Sequence, residues 1–207
     1  MKTLTTFIKG ILAGLSIALG GTVFLALDHK VIGSLFFTVG LFVIVTRGYN
    51  LFTGKVCYSL DQPLSYVGDL GVMWVGNLLG TWLFALGLKA TRLAPAMVEK
   101  AQAMCEVKLG DNLSSIFILA IFCNILIFVA VDSFKNNPHE LGKYLALFFG
   151  VCVFILSGFE HCVANMFYFS VAGMWSTQAL IFILVNTLGN ALGGLLIPAF
   201  TKLFAEK

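Results

Sequence analysis

Charged positions along the chain are sparse and clustered, and the stretches between them are long. Residues 10–27, 31–46, 70–88, 112–131, 144–159 and 162–201 contain no Asp, Glu, Lys or Arg. A helix that crosses a bilayer needs about 20 predominantly apolar residues. The first, third and fourth stretches fit one helix each. The last has room for a helix, a half-helix and a connector. The stretches 31–46 and 144–159 are short, and each stops at a polar cluster. The pattern predicts six spans, near 7–27, 31–58, 65–88, 112–132, 144–170 and 179–203, with the second and fifth interrupted. Lys2 and Lys9 precede the first stretch, but no small-residue cleavage site follows it. The expectation is a retained helix rather than a cleaved leader.

Composition turns this pattern into a choice of solvent. Apolar residues make up 59% of the 207 and charged residues only 11%, against about 25% charged in an ordinary soluble domain. Mean hydropathy is +0.95. So few polar groups cannot cover a water-exposed surface. This excludes a soluble enzyme, a secreted disulfide scaffold and a nucleic-acid binder. The net charge of +3 is scattered and forms no basic stripe. The partner implied is the lipid bilayer. Cys57, Cys105, Cys123, Cys152 and Cys162 form no Cys-x-x-Cys pair. They read as small apolar packing residues, with no metal site or cofactor expected.

A weak repeat runs through the chain at an offset of about 110 residues. Gly76-Asn77-Leu78-Leu79-Gly80 matches Gly189-Asn190-Ala191-Leu192-Gly193, and Gly48-Tyr49-Asn50 parallels Gly158-Phe159-Glu160. Ala13-Gly14 falls opposite Cys123-Asn124 at the same offset. The halves, approximately 7–90 and 112–204, would hold three spans each within one transmembrane domain covering 1–207. An odd number of spans inverts the second half relative to the first. Inverted repeats with broken helices at matching positions point to a site near the membrane midplane.

The breaks carry the chemistry. Arg47-Gly48-Tyr49-Asn50-Leu51-Phe52-Thr53-Gly54-Lys55 and Ser157-Gly158-Phe159-Glu160-His161-Cys162-Val163-Ala164-Asn165 each place glycine and polar residues at membrane depth. Irregular backbone survives there only when buried in protein or lining a cavity. Glu160 and His161 are the only ionisable side chains of Asp, Glu, Lys, Arg or His type between Tyr144 and Thr201, and such groups are costly unless functional. His161 is expected to serve the function. Glu160 is expected to accept the free N–H groups of a half-helix N-terminus.

The second break, continued through Met166 and Phe167, resembles the fifth-helix motif of the formate/nitrite transporter family. Leu51-Phe52-Thr53-Gly54 resembles that family's loop within the second helix. Ile11-Leu12-Ala13-Gly14 and Gly189-Asn190-Ala191-Leu192-Gly193-Gly194 also match its pattern, so the resemblance covers nearly the whole chain. It implies an all-α membrane protein, an aquaporin-like bundle of six transmembrane helices with helices 2 and 5 broken, assembled as a homopentamer. It implies His161 and Thr53 at the pore centre and Lys108 in a vestibule at the start of the fourth helix. It implies one constriction of Phe37, Phe52 and Ile127 and another of Leu41, Leu51 and Phe154, with Glu160, Asn124 and Asn190 supporting the pore. Tyr49-Asn50 and Lys55 depart from the family's usual residues beside Leu-Phe-Thr.

The function implied is a channel or proton-linked transporter for small monovalent anions of weak acids, formate first, with hydrosulfide and nitrite as alternatives. A pore for neutral solutes would call for Asn-Pro-Ala motifs, and neither half carries one. A haem enzyme would need paired intramembrane histidines, whereas His29 and His139 fall at expected loops. Lys2, Lys9, Lys55, Lys135, Lys143, Lys202 and Lys207 would lie on the side of the termini, against Lys30, Lys89, Arg92, Lys100 and Lys108 opposite. This favours cytoplasmic termini of a multi-pass plasma-membrane protein.

Overall fold

The computed structural model describes residues 2–205; Lys207, counted above among the terminal lysines, lies outside them. The described residues are helical throughout their regular elements. Helix α1 (Lys2–Ala26) is followed by α2 (Lys30–Phe37) and α3 (Val39–Arg47), joined at Thr38. The short α4 (Phe52–Val56) and a 3-10 turn at Ser59–Asp61 lead into α5 (Tyr66–Lys89) and α6 (Ala94–Leu109). Then come α7 (Leu113–Asn136), α8 (Glu140–Leu156), α9 (Cys162–Ala172) and α10 (Thr177–Ala205). Five stretches, Lys2–Ala26, Lys30–Arg47, Tyr66–Lys89, Leu113–Asn136 and Thr177–Phe204, are long and apolar enough to cross a membrane.

Both expected breaks are present. Helix α3 ends at Gly48 with φ 66°, and α8 runs out into Gly158 with φ 73°. Only glycine takes this left-handed conformation without penalty, so each glycine ends a helix at depth. The chain then crosses a few extended residues and starts a new helix, α4 or α9. The expected fifth span contains α9, but all of its residues, Cys162–Ala172, are buried. A helix apolar all round belongs in the core, and α9 is the centre of this one.

Two helix pairs frame that core. α1 packs most extensively on α5, and α7 on α10. Close approach is built into the sequence at Gly80, where an added Cβ would collide with the Ile11 carbonyl, and at Gly193, where it would collide with that of Ile121. Leu19, Trp82, Phe122, Phe149 and Leu188 face outward. That is the surface expected against lipid or a neighbouring copy.

Two expectations need correction. The first helix begins at Lys2 rather than near residue 7, because a lysine at a helix end keeps its ammonium in the polar layer while its stem packs. The segment between the expected third and fourth spans, which lay outside every expected helix, is largely the helix α6. Its charges masked a buried face of Met97, Ala101 and Cys105 at four-residue spacing, and Pro95 sits in its first turn, where proline favours helix. Lys100 of α6 reaches Asp28 in the α1–α2 loop (2.7 Å), which holds that carboxyl below its usual range. At the opposite end, Lys2 pairs with Asp69 (3.5 Å) and Lys202 with Asp61 (2.5 Å), so both described termini share a side.

Candidate functional site

The two helices that start inside the core are held by matching asparagines. Asn190 accepts the Cys162 N–H through Oδ1 (2.9 Å) and donates through Nδ2 to the carbonyls of Ala120 and Glu160 (each 2.8 Å). Asn77 accepts the Phe52 N–H (2.9 Å) and donates to the carbonyls of Gly10 (2.8 Å) and Asn50 (2.9 Å). One amide therefore satisfies one helix start and two neighbouring carbonyls at each break. The backbone repeats the pattern: Asn50 N–H bonds Lys9 O (3.1 Å), and Glu160 N–H bonds Leu119 O (3.3 Å). Asn124 ties the halves together, donating to Thr53 O (3.1 Å) and Asn190 O (2.7 Å). Asn190 and Asn124 are among the expected supporting residues. Asn77 was not, although it occupies the same place in its Gly-Asn-x-Leu-Gly sequence as Asn190.

His161 and Thr53 meet where the helix starts converge, with Nε2 3.0 Å from Oγ1. Both are buried. His161 is the N-cap of α9, and its Nδ1 accepts the Ala164 N–H (3.2 Å). A nitrogen that accepts carries no proton, so this contact assigns the imidazole proton to Nε2. Nε2–H then donates to Thr53, and the threonine keeps its own hydroxyl proton for another acceptor. Phe154 stacks on the imidazole, with centroids 5.6 Å apart, and Phe37 packs edge-on to Phe154 at 6.1 Å.

Glu160 does not cap α9. Asn190 and His161 already take those amides, and the carboxylate turns the other way. It accepts Lys108 Nζ at 2.8 and 2.7 Å and Asn165 Nδ2 at 2.7 Å. Lys108 lies in the last turn of α6, not at the start of the next helix, because its segment is helical through Leu109. The pairing changes what Lys108 does electrostatically: its charge is matched at contact distance.

Two cavities approach the His161–Thr53 contact. One of about 470 Å³ is lined by Lys30, Phe37, Lys108, Phe154, Glu160 and His161, among others. The other, of about 390 Å³, includes Leu41, Leu51, Gly54, Lys55, Tyr58 and Lys135 in its wall. Phe154 thus lines the same cavity as Phe37, not the one of Leu41 and Leu51 with which it was grouped. Phe52 and Ile127 are buried and line neither of these two cavities. Lys30 was missed by the sequence reading. It donates to the last carbonyl of α8, Leu156 O, at 3.2 Å, and its short-range signal is no different from that of any lysine starting a helix.

The model of the family described as formate/nitrite transporter matches residues 1–204. The chain belongs to the formate/nitrite transporter family. It is 31% identical over 217 residues to the uncharacterized transporter YrhG of Bacillus subtilis (strain 168), covering 90% of this chain and 79% of that protein. It is 31% identical over 199 residues to a probable formate transporter of Methanothermobacter thermautotrophicus, covering 82% and 73%. Among solved structures it is similar to a pentameric formate channel with formate bound, at TM-score 0.81 and 25% identity, over 100% of this chain and 98% of that one. Members of the family are channels and transporters, not enzymes. The chain is accordingly a multi-pass membrane protein.

Proposed function

We propose that this formate/nitrite transporter family protein conducts small monovalent anions of weak acids, formate first, with hydrosulfide and nitrite as the alternatives within the class. The observation that carries the reading is the His161–Thr53 contact, with one cavity walled by His161 itself and another by Leu51 and Gly54 beside Thr53 in the chain. The architecture that goes with it is an aquaporin-like bundle of six spans, arranged as two inverted three-helix repeats, about 7–90 and 112–204, in one domain. The paired roles of Asn77 and Asn190 support that symmetry. The similar pentameric formate channel supports a homopentamer with a pore in each protomer. The sharing of one side by both termini, together with the lysine distribution, supports cytoplasmic termini in the cell membrane.

The rings around His161 explain why the site suits weak acids. Phe37 and Phe154 on one side and Leu41 and Leu51 on the other offer an ion no hydrogen bonds, and stripping a charge of water without replacement is costly. At the centre, the Thr53 hydroxyl proton and the positive end of α9 meet the anion instead. A proton taken up from hydronium in the aqueous cavity converts the anion of a weak acid to the neutral acid, which passes the second ring without that cost and returns the proton to water beyond it. Glu160 holds Lys108 in place beside this route, with Asn165 as the third member of the cluster.

Purified protein in lipid vesicles tests the class of solute. A formate gradient should drive flux well above that of empty vesicles and shift internal pH, whereas a glycerol gradient should not. Glycerol flux equal to formate flux would favour the neutral-solute pore. His161→Asn tests the centre. Asn keeps an N-cap acceptor for Ala164 but does not titrate. The variant should assemble normally and change the pH dependence of formate flux. An unaltered pH profile in assembled protein would make His161 a helix cap alone.

A further inference from the structure

The departure at Lys55 is not used by the pore centre, and its surroundings ask for a ligand. Lys55 is half-buried on α4, and among the described residues its ammonium makes no hydrogen bond or ion pair shown in the structure. The basic charges that act on it are Lys9 and Lys135. Lys135 lines the same cavity and lies 4.8 Å over the Tyr58 ring, again without a carboxylate. The nearby acid, Asp132, is outside the cavity wall, accepts Asn136 Nδ2 (2.8 Å) and acts on Tyr58 and Cys57. The contrast with the other mouth is direct. There, Lys108 is matched by Glu160 at 2.7 Å; here, two lysines line one cavity whose wall includes no carboxylate.

We propose that this cavity is a second anion-binding station, in which Lys55 and Lys135 together hold a hydrated monovalent anion, a carboxylate in particular, at the end of the pore opposite Lys108. The proposal rests on the pore reading above. Like charges held apart from water repel and gain from a counter-ion. A cation seated on an aromatic face is attracted only modestly, so Lys135 is free to turn to an anion. The cavity, about 390 Å³, exceeds a formate ion several-fold, since one water occupies about 30 Å³. The anion therefore keeps much of its water, and the station selects charge rather than size. Leu51 lines the cavity and lies two residues from Thr53, so an anion leaving the station meets the Leu41–Leu51 ring next.

The test uses the full chain, assembled and reconstituted, with formate applied from either side and orientation read by protease protection. In Lys55→Met/Lys135→Met, the apparent KM for formate applied at the Lys55 mouth should rise about tenfold at low salt, and less at high salt where charges are screened. The KM from the Lys108 mouth should not change, and Lys55→Arg/Lys135→Arg should restore the wild-type value. Equal KM values for wild type and the methionine variant at both mouths, or an equal rise at both, would overturn the proposal. A second readout needs no transport. Formate, but not neutral formamide, should protect Lys55 and Lys135 from acylation in purified wild-type protein, as measured by mass spectrometry. Protection without flux would sink the pore reading and leave the station; flux without protection would do the reverse.

Discussion

Asn190→Leu should yield almost no assembled protein, although leucine is close in size and more apolar. The exchange removes three hydrogen bonds at once and leaves the Cys162 N–H and the Glu160 carbonyl without a partner in the core, while the Ala120 carbonyl keeps its bond within α7. An unsatisfied buried group costs about 1–3 kcal/mol. Two of them are a large share of a net stability of about 5–15 kcal/mol. Asn77→Leu should be comparably damaging, since it strands the Phe52 N–H and the Asn50 carbonyl and removes the tie to Gly10 of α1. Yield of monodisperse protein after detergent extraction is the measure. A leucine variant recovered at wild-type yield and thermal stability would mean that these amides do not hold the helix starts.

Lys108→Met should also destabilise the protein strongly, which is a larger effect than removal of a vestibule charge would give. The Glu160 side chain is only 8% exposed and would be left with Asn165 as its remaining side-chain partner. Breaking a buried pair by removing one member costs about 3–5 kcal/mol. Lys108→Met/Glu160→Gln should recover most of that loss, because no charge is then stranded and glutamine still accepts from Asn165. Thermal unfolding of wild type, Lys108→Met, Glu160→Gln and the double variant in one detergent gives the coupling directly. A single variant as stable as wild type would show that the ion pair contributes nothing to the fold.

What the sequence revealed depended on the range of the interaction. Runs without charge located the main apolar helices, because burial in lipid imposes a composition that any window displays. Gly48 and Gly158 marked the breaks, since a left-handed backbone favours one residue type. The His161–Thr53 pair was reachable only through the family resemblance: the residues lie far apart in the chain, and nothing local at Thr53 signals a histidine. Helix α6 was hidden by its charges, whose solvated face outweighed three buried residues. The same oversight concealed the partner of Glu160. With Lys108 placed at the start of the fourth helix rather than in the last turn of α6, its reach to Glu160 was not visible, and the carboxylate was assigned to the nearest free amides. Asn77 was the avoidable omission, because the repeat already set it beside Asn190.

The central claim is that the route past His161 admits one negative charge and excludes two. Born-type dehydration grows with the square of the charge, so a divalent ion faces about four times the cost of a monovalent ion of equal size. The direct measurement is the flux of formate and of sulfate through the same protein in the same vesicles, at equal ionic strength and several pH values. The account predicts formate flux far above that of empty vesicles, with sulfate at the empty-vesicle level. Sulfate passing as fast as formate, or formate no faster than in empty vesicles, would contradict it.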